Sequence, residues 1–254
     1  KSSYVNTVAQ AQNKQTGEVF PYKLETPVEV VWENTPMSSE AEEIPGFDPR
    51  HDFNFLCVSQ MGPRKNLENT IKWFVEEFVD QEVGLVLKSN LKSNSVIDKE
   101  HIEASLSSLL ATYPERKCSV NISHGEGFGL PLFEAARSAL PIIAVGWSGQ
   151  MDFLNFENKD YFLKVKHEVK QVQQSVVWNG VIEADSMWAY ANQGSYKMAL
   201  RQMFKKHDEF AKQATDLQRL VNANFSDEVL FEGFVNQFLE HSSSESWTSE
   251  IEDI

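Results

Sequence analysis

The sequence predicts an α/β protein built on a doubly wound parallel sheet. Strand-like apolar runs alternate with amphipathic helix-like runs. The strand at 83–88 is apolar along nearly its whole length, as in a sheet covered on both faces, and a glycine-rich turn joins a strand directly to a helix. With 254 residues the chain can hold one large or two small domains with a substantial core. A hydrophobic content of 41% and a charged content of 24% mark an ordinary soluble globular protein. The net charge of −14 argues against nucleic acid and anionic membrane as partners, because both require a basic face. No apolar run approaches the roughly 20 residues that span a bilayer, so stable membrane insertion is not expected. Cys57 and Cys118 both sit in strand-like runs. They read as buried thiols of a cytoplasmic protein, with a disulfide as the open alternative. There is no signal-peptide pattern, and Lys1 is not an initiator.

Residues 1–26 are polar, with a weak helical start at Tyr4, Val5, Val8 and Ala9. Val28–Trp32 alternates like a strand. Residues 33–51, with Pro36, Pro45, Gly46 and Pro49, read as a linker. Phe53–Ser59 is a strand, Gln60–Lys65 a loop, and Asn66 a cap for a helix whose apolar face is Ile71, Phe74, Val75 and Phe78. Val83–Lys88 is the next strand. Asp98 caps a helix carrying Ile102, Leu106, Leu109, Leu110 and Tyr113 that stops at Pro114. Cys118–Ser123 is a third strand, followed by a helix from about Pro131 to Ala139 and strands near Pro141–Val145 and Tyr161–Val165. From Ser186 the chain reads as helical through Met187–Ala191 and Tyr196–Lys206. A last helix is capped by Ser226 with Asp227 and Glu228 in its first turn.

The chemistry concentrates in His124–Ala136. Gly125, Gly127 and Gly129 at alternate positions let the backbone take positive φ and approach a ligand closely. The helix that follows presents amides that favour an anion such as a phosphate. Glu126 and Glu134 flank the turn eight positions apart, one on the loop and one on the helix. Phosphate-friendly amides beside two carboxylates suit a ligand that carries both phosphates and hydroxyls.

Glu126–Glu134 resembles the E-x7-E motif of GT-B fold retaining glycosyltransferases similar to family 4, and Pro141-Ile142-Ile143-Ala144 fits the continuation of that signature. Val58-Ser59-Gln60 with Pro63-Arg64-Lys65-Asn66-Leu67 is similar to the segment that opens the family's donor domain. The resemblance covers roughly residues 53–240. It implies a Rossmann-like donor-binding domain at 46–240, the end of an N-terminal acceptor domain with linker at 1–45, and an acidic, mobile tail at 241–254.

The resemblance implies roles for individual residues. Glu126 would contact hydroxyls of the transferred sugar, and Glu134 the ribose hydroxyls of the nucleotide. Phe128, Gly129 and Leu130, with Gly127, would offer backbone amides to the donor. Phe128 and Leu130 also read as core residues beside a tight turn, and both readings can hold. Lys65 would neutralise the diphosphate leaving group and so stabilise the transition state. Arg64 and Lys88 are further candidates, since the family's second basic residue falls where this chain has Ser59 and Gln60. Glu126 and Lys65 are the expected catalytic residues. His124 reads as structural or donor-lining, and Trp147, Ser148 and Gly149 as a plain turn or part of the donor pocket. The remaining histidines lack metal-ligand spacing, and neither a metal site nor a cofactor is expected. The family's strand–helix–strand passage between Lys88 and the glycine turn has no counterpart here, which implies a deletion or, the favoured reading, an omitted segment with its junction near Val120-Asn121.

The implied function is transfer of a sugar, with retention, from a nucleotide-diphosphate sugar to a glycan, lipid or protein acceptor. The rival is a glycosyltransferase-like module that binds sugar nucleotide or glycan without transfer. A GT-B sugar epimerase is a third, weaker reading.

Overall fold

The computed structural model describes residues 9–12, 19–22, 32, 51–91, 98, 100–102, 104–106 and 127–242. The chain forms two compact units, Lys1–Pro36 with Asn222–Ile254 and Met37–Val221.

In the first unit, β1 (Ala9–Gln12) pairs antiparallel with β2 (Val19–Tyr22), Ala9 lying opposite Tyr22. The helical start expected through Ala9 is replaced by this pair where the chain is described. Ala-Gln-Ala-Gln alternates with the period of a strand, and one turn of apolar residues is too short to nucleate a helix alone. Of the strand expected at Val28–Trp32, only Trp32 is among the described residues, and it lies outside any strand. Its ring meets Phe225 edge-on, with centroids 5.9 Å apart.

The second unit begins with β3 (Phe53–Val58), which is parallel to β4 (Val83–Lys88) in the register Phe53 to Val83 through Val58 to Lys88. Between them, α1 (Leu67–Glu77) buries Leu67, Ile71, Phe74 and Val75, residues that recur at helical spacing and face the pair. Phe55 of β3 lies edge-on to Phe74 and tilted on Phe78, with centroids 5.5 and 5.8 Å away. Residues 98, 100–102 and 104–106 are helical, in line with the helix expected after Asp98. The third strand at Cys118–Ser123 and the omitted-segment junction lie outside the described residues.

Next come α2 (Leu130–Arg137), β5 (Ile143–Val145), the short α3 (Met151–Leu154), β6 (Asn155–Phe156), β7 (Lys159–Asp160) and β8 (Leu163–Val165). β6 and β7 form a tight antiparallel hairpin, whereas β5 and β8 are parallel, Ile143 opposite Leu163. The unit is therefore mixed α/β with two parallel strand pairs. Among the described residues these pairs are not hydrogen-bonded to each other.

One expectation fails clearly: Met187–Ala191 is a strand, β10, antiparallel to β9 (His167–Gln171). Five residues are too few for a helix in isolation, while Trp188 and Tyr190 are two apart and suit one face of a strand. Ala189, which points the other way, is fully buried in the core. Helices α4 (Gln193–Lys205) and α5 (His207–Asn224) follow. The α4 helix opens at Asn192, whose side chain accepts from the Ser195 amide at 2.9 Å. It packs on α1: Lys197 Nζ lies 2.7 Å from Glu76, and Arg201 pairs with Glu77. Back in the first unit, α6 (Asp227–Ser242) starts as expected, with Ser226 Oγ accepting from the Val229 amide at 3.3 Å. His241 and Ser242 belong to this helix rather than to the expected tail, whose remainder lies outside the described residues.

Candidate functional site

Two backbone turns hold most of the described residues singled out by the sequence. The first is basic. Because β3 and β4 are parallel, both carboxyl ends open on one edge, where ligands collect in α/β sheets. Beyond the strands the two loops stay zipped together. The Ser59 amide donates to the Lys88 carbonyl at 3.0 Å, and the Met61 amide to the Asn90 carbonyl at 2.7 Å. The Gln60 side chain adds a bond to the Leu91 carbonyl. Gly62 then opens a single 3-10 turn, Pro63–Lys65, closed by the Lys65 amide on the Gly62 carbonyl at 3.0 Å. Arg64 and Lys88 are exposed and Lys65 is half-buried, so all three cations belong to one edge of a strongly acidic chain.

Asn66 links this turn to α1 differently from expectation. It occupies the left-handed region at φ 52°, and its side chain caps nothing in the helix. Instead its Oδ1 accepts from Asn69 Nδ2 at 2.7 Å, and its carbonyl accepts from the Thr70 amide at 3.1 Å and hydroxyl at 3.0 Å. Asparagine tolerates this backbone better than most residues because its short polar side chain bonds locally.

The second structure is the glycine turn. Gly129 stands at the N-cap of α2 with φ 93° and ψ 50°, a conformation a residue with a Cβ adopts only under strain. Gly127 does not take positive φ, so the freedom expected of each glycine is used at Gly129 among the described ones. Phe128 anchors the turn: its ring lies 5.0 Å from both Phe133 and Phe153, which are themselves 5.2 Å apart. Its half-buried side chain thus packs on two core rings.

The Gly129 carbonyl accepts from the Leu132 and Phe133 amides at 2.9 and 3.0 Å, and Pro131 has no N–H. Among the described residues the Gly129 and Leu130 amides, at the helix start, have no backbone acceptor, and Leu130 is exposed. Glu134 is exposed, in the second turn of α2. His124, Gly125 and Glu126 lie outside the described residues.

Two buried polar atoms at strand ends were not anticipated. Among the described residues, Ser89 Oγ, directly after β4, has no hydrogen-bond partner, nor does Oε1 of Gln150, which follows β5. Gln150 is 2% exposed, and its Nε2 is held by the Val145 carbonyl at 3.0 Å. An unpaired buried polar atom costs about 1–3 kcal/mol, which is why such atoms mark ligand or water positions. The available signal was positional: both follow parallel strands on the edge where ligands bind. Between them, Trp147 and Ser148 turn the chain after β5, Ser148 at φ 80°.

An apolar cavity of about 170 Å³ lies between β3 and α2, lined by Phe53–Leu56, Pro131, Leu132 and Ile143 among others. A larger open groove of about 1120 Å³ runs beside the Gly62–Asn66 turn and under Trp188 and Tyr190. Arg64, Lys65, Lys88 and Glu134 line neither.

No family model matches the chain. It is 31% identical over 105 residues to the serotype-specific mannosyltransferase WbdA of Escherichia coli, an alignment covering 35% of this chain and 13% of that protein. A second WbdA mannosyltransferase of Escherichia coli aligns with the same identity over 12% of its length. The matched stretch is thus a small fraction of these curated relatives. Among solved structures, the crystal structure of a GtfA/B complex superposes at a TM-score of 0.45 and 17% identity, covering 76% of this chain and 37% of that one.

Proposed function

We propose that this chain carries the donor-binding half of a retaining GT-B glycosyltransferase similar to family 4, taking a sugar from a nucleotide-diphosphate sugar and passing it to an acceptor held largely by another domain. The observation that carries the reading is the turn at Gly129. A left-handed glycine starts α2 with two amides that find no acceptor among the described residues, within the span of an E-x7-E sequence. The basic turn at Arg64-Lys65 on the carboxyl edge of β3 and β4 is the second support. Similarity to mannosyltransferases makes mannose the first sugar to test.

On this reading both parallel pairs belong to one doubly wound, Rossmann-like sheet. Lys65, helped by Arg64 or Lys88, neutralises charge that builds on the departing diphosphate, in place of a divalent metal ion. The Gly129 and Leu130 amides hold a phosphate or sugar oxygen, Glu134 grips the ribose hydroxyls and Glu126 the hydroxyls of the sugar. No protein nucleophile is required: in the front-face path the leaving phosphate itself helps to deprotonate the acceptor hydroxyl.

The test is calorimetric titration of the full-length protein with nucleotide-diphosphate sugars that differ in base and sugar, repeated on Lys65→Ala and Glu134→Ala. A donor that binds wild type and loses affinity for both variants is expected. Unchanged affinity in both would sink the site assignment. Binding without transfer or donor hydrolysis would favour the non-catalytic module instead.

A further inference from the structure

The groove beside the Gly62–Asn66 turn has a chemistry distinct from that of the basic edge. Trp188 and Tyr190, two apart on β10, share one face and form an aromatic wall. Trp188 is a core side chain, 9% exposed, so Tyr190, half-buried with its hydroxyl donating to the Gln171 carbonyl at 3.2 Å, is the ring that opens on the groove. Asn66, Glu68 and Asn69 also line the groove, with Gln173 just past the end of β9. Among the described lining residues there is a carboxylate and there are several amides, but no lysine or arginine. Such a surface does not suit a diphosphate, which needs positive charge.

Aromatic faces opposite neutral and acidic hydrogen-bonding groups are suited to uncharged polyhydroxyl rings. The apolar C–H face of a pyranose lies on an aromatic ring while its hydroxyls reach amides and carboxylates. At about 1120 Å³ the groove matches or exceeds the usual upper size of a small-molecule pocket, roughly 1,000 Å³, and its open form admits a chain. We propose that it is a subsite for an uncharged oligosaccharide, lying against Tyr190, with Trp188 beneath it, beside the Gly62–Asn66 turn. As an acceptor-chain subsite it rests on the glycosyltransferase reading; as an oligosaccharide site it does not.

The experiment uses the full-length protein with mannotetraose, maltotetraose and cellotetraose, read by saturation-transfer NMR and calorimetry, with nucleotide-sugar titrations on the same samples. Because Trp188→Ala risks unfolding, the variants are Tyr190→Ala, Tyr190→Phe and Asn69→Ala, each checked by circular dichroism. At least one oligosaccharide should bind wild type. Tyr190→Ala and Asn69→Ala should each weaken that binding about tenfold, while Tyr190→Phe, which keeps the ring, stays within a few-fold. Donor affinity should follow Lys65→Ala and not Tyr190→Ala. Failure of all three oligosaccharides to bind wild type, or unchanged affinity in both alanine variants, would overturn the proposal. If oligosaccharide binds as expected but no nucleotide sugar does, the subsite stands and the glycosyltransferase reading falls. If the reverse is seen, the subsite alone falls.

Discussion

Gly129→Ala tests the backbone on which the candidate site depends. A residue with a Cβ in the left-handed region costs about 1–2 kcal/mol, and φ 93° lies beyond the centre of that region, toward the upper end. Against this, alanine lowers the entropy of the unfolded chain and returns about 0.4–1 kcal/mol. The net expectation is destabilisation of about 1 kcal/mol, or roughly 2–4 °C in Tm for a chain of this size. Gly127→Ala is the paired control. Its φ is not left-handed and an added Cβ would meet nothing within 4 Å, so only the unfolded-state term applies and the sign reverses. Urea unfolding followed by far-UV circular dichroism gives both values. The reasoning is refuted if Gly129→Ala is as stable as wild type or more stable, since that would mean the turn does not hold a left-handed residue at its N-cap. Donor titration of the same variant then asks whether the two leftover amides matter to binding.

Three further outcomes follow from particular contacts. Lys65→Ala and Glu134→Ala should each weaken donor binding by about tenfold or more, the loss expected of one charge-assisted contact, as read by calorimetry. Gly84→Ala should destabilise by about 1–3 kcal/mol, because the new Cβ would sit 1.8 Å from Asn54 Oδ1, a side chain tied to the His51 carbonyl. Adding Asn54→Ala should recover much of that loss in the same unfolding assay, and no recovery would refute the clash. Asp160 sets an acid-side dependence. Burial raises its pKa, but hydrogen bonds from Lys164 and Asn155 and the Lys164 charge outweigh it and leave the carboxyl below its ordinary 3.8. Its contribution is complete above that value and disappears as pH falls through the lower folded value. Asp160→Asn should therefore cost stability at neutral pH and flatten the acid limb of stability against pH, whereas an unchanged limb would contradict the pairing.

What the sequence showed best were patterns with a single physical cause. Ile71, Phe74, Val75 and Phe78 recur at helical spacing because one face of α1 must bury against β3, and all four are buried. Val83–Leu87 is apolar because β4 pairs with β3 in the core, where Val83, Gly84 and Leu85 are buried. The failures came where tertiary pairing decides. Met187–Ala191 carries no period strong enough to choose between helix and strand, and its partner at His167–Gln171 supplies the choice. Asn66 has the residue type of a cap, but its left-handed backbone turns the side chain toward Asn69 instead. Ser89 and Gln150 were invisible because nothing in residue type distinguishes a satisfied buried polar group from an unsatisfied one.

The mistaken strand matters most for function. Read as a helix, Met187–Ala191 would have pointed Trp188 and Tyr190 about 200° apart around an axis, and no shared aromatic wall could form. Read as a strand it sets both rings on one face, beside the turn that carries Arg64 and Lys65. A basic edge and an aromatic groove with no lysine or arginine among its described lining then adjoin at the Gly62–Asn66 turn. On the proposed reading, such a division would let one part of the chain recognise a charged donor and the next a neutral glycan. Lys65→Ala and Tyr190→Ala should therefore be independent, their combined effect on each ligand no larger than that of the relevant single variant. A double variant that loses donor and oligosaccharide together by more than this would show one continuous site, and the division would be wrong.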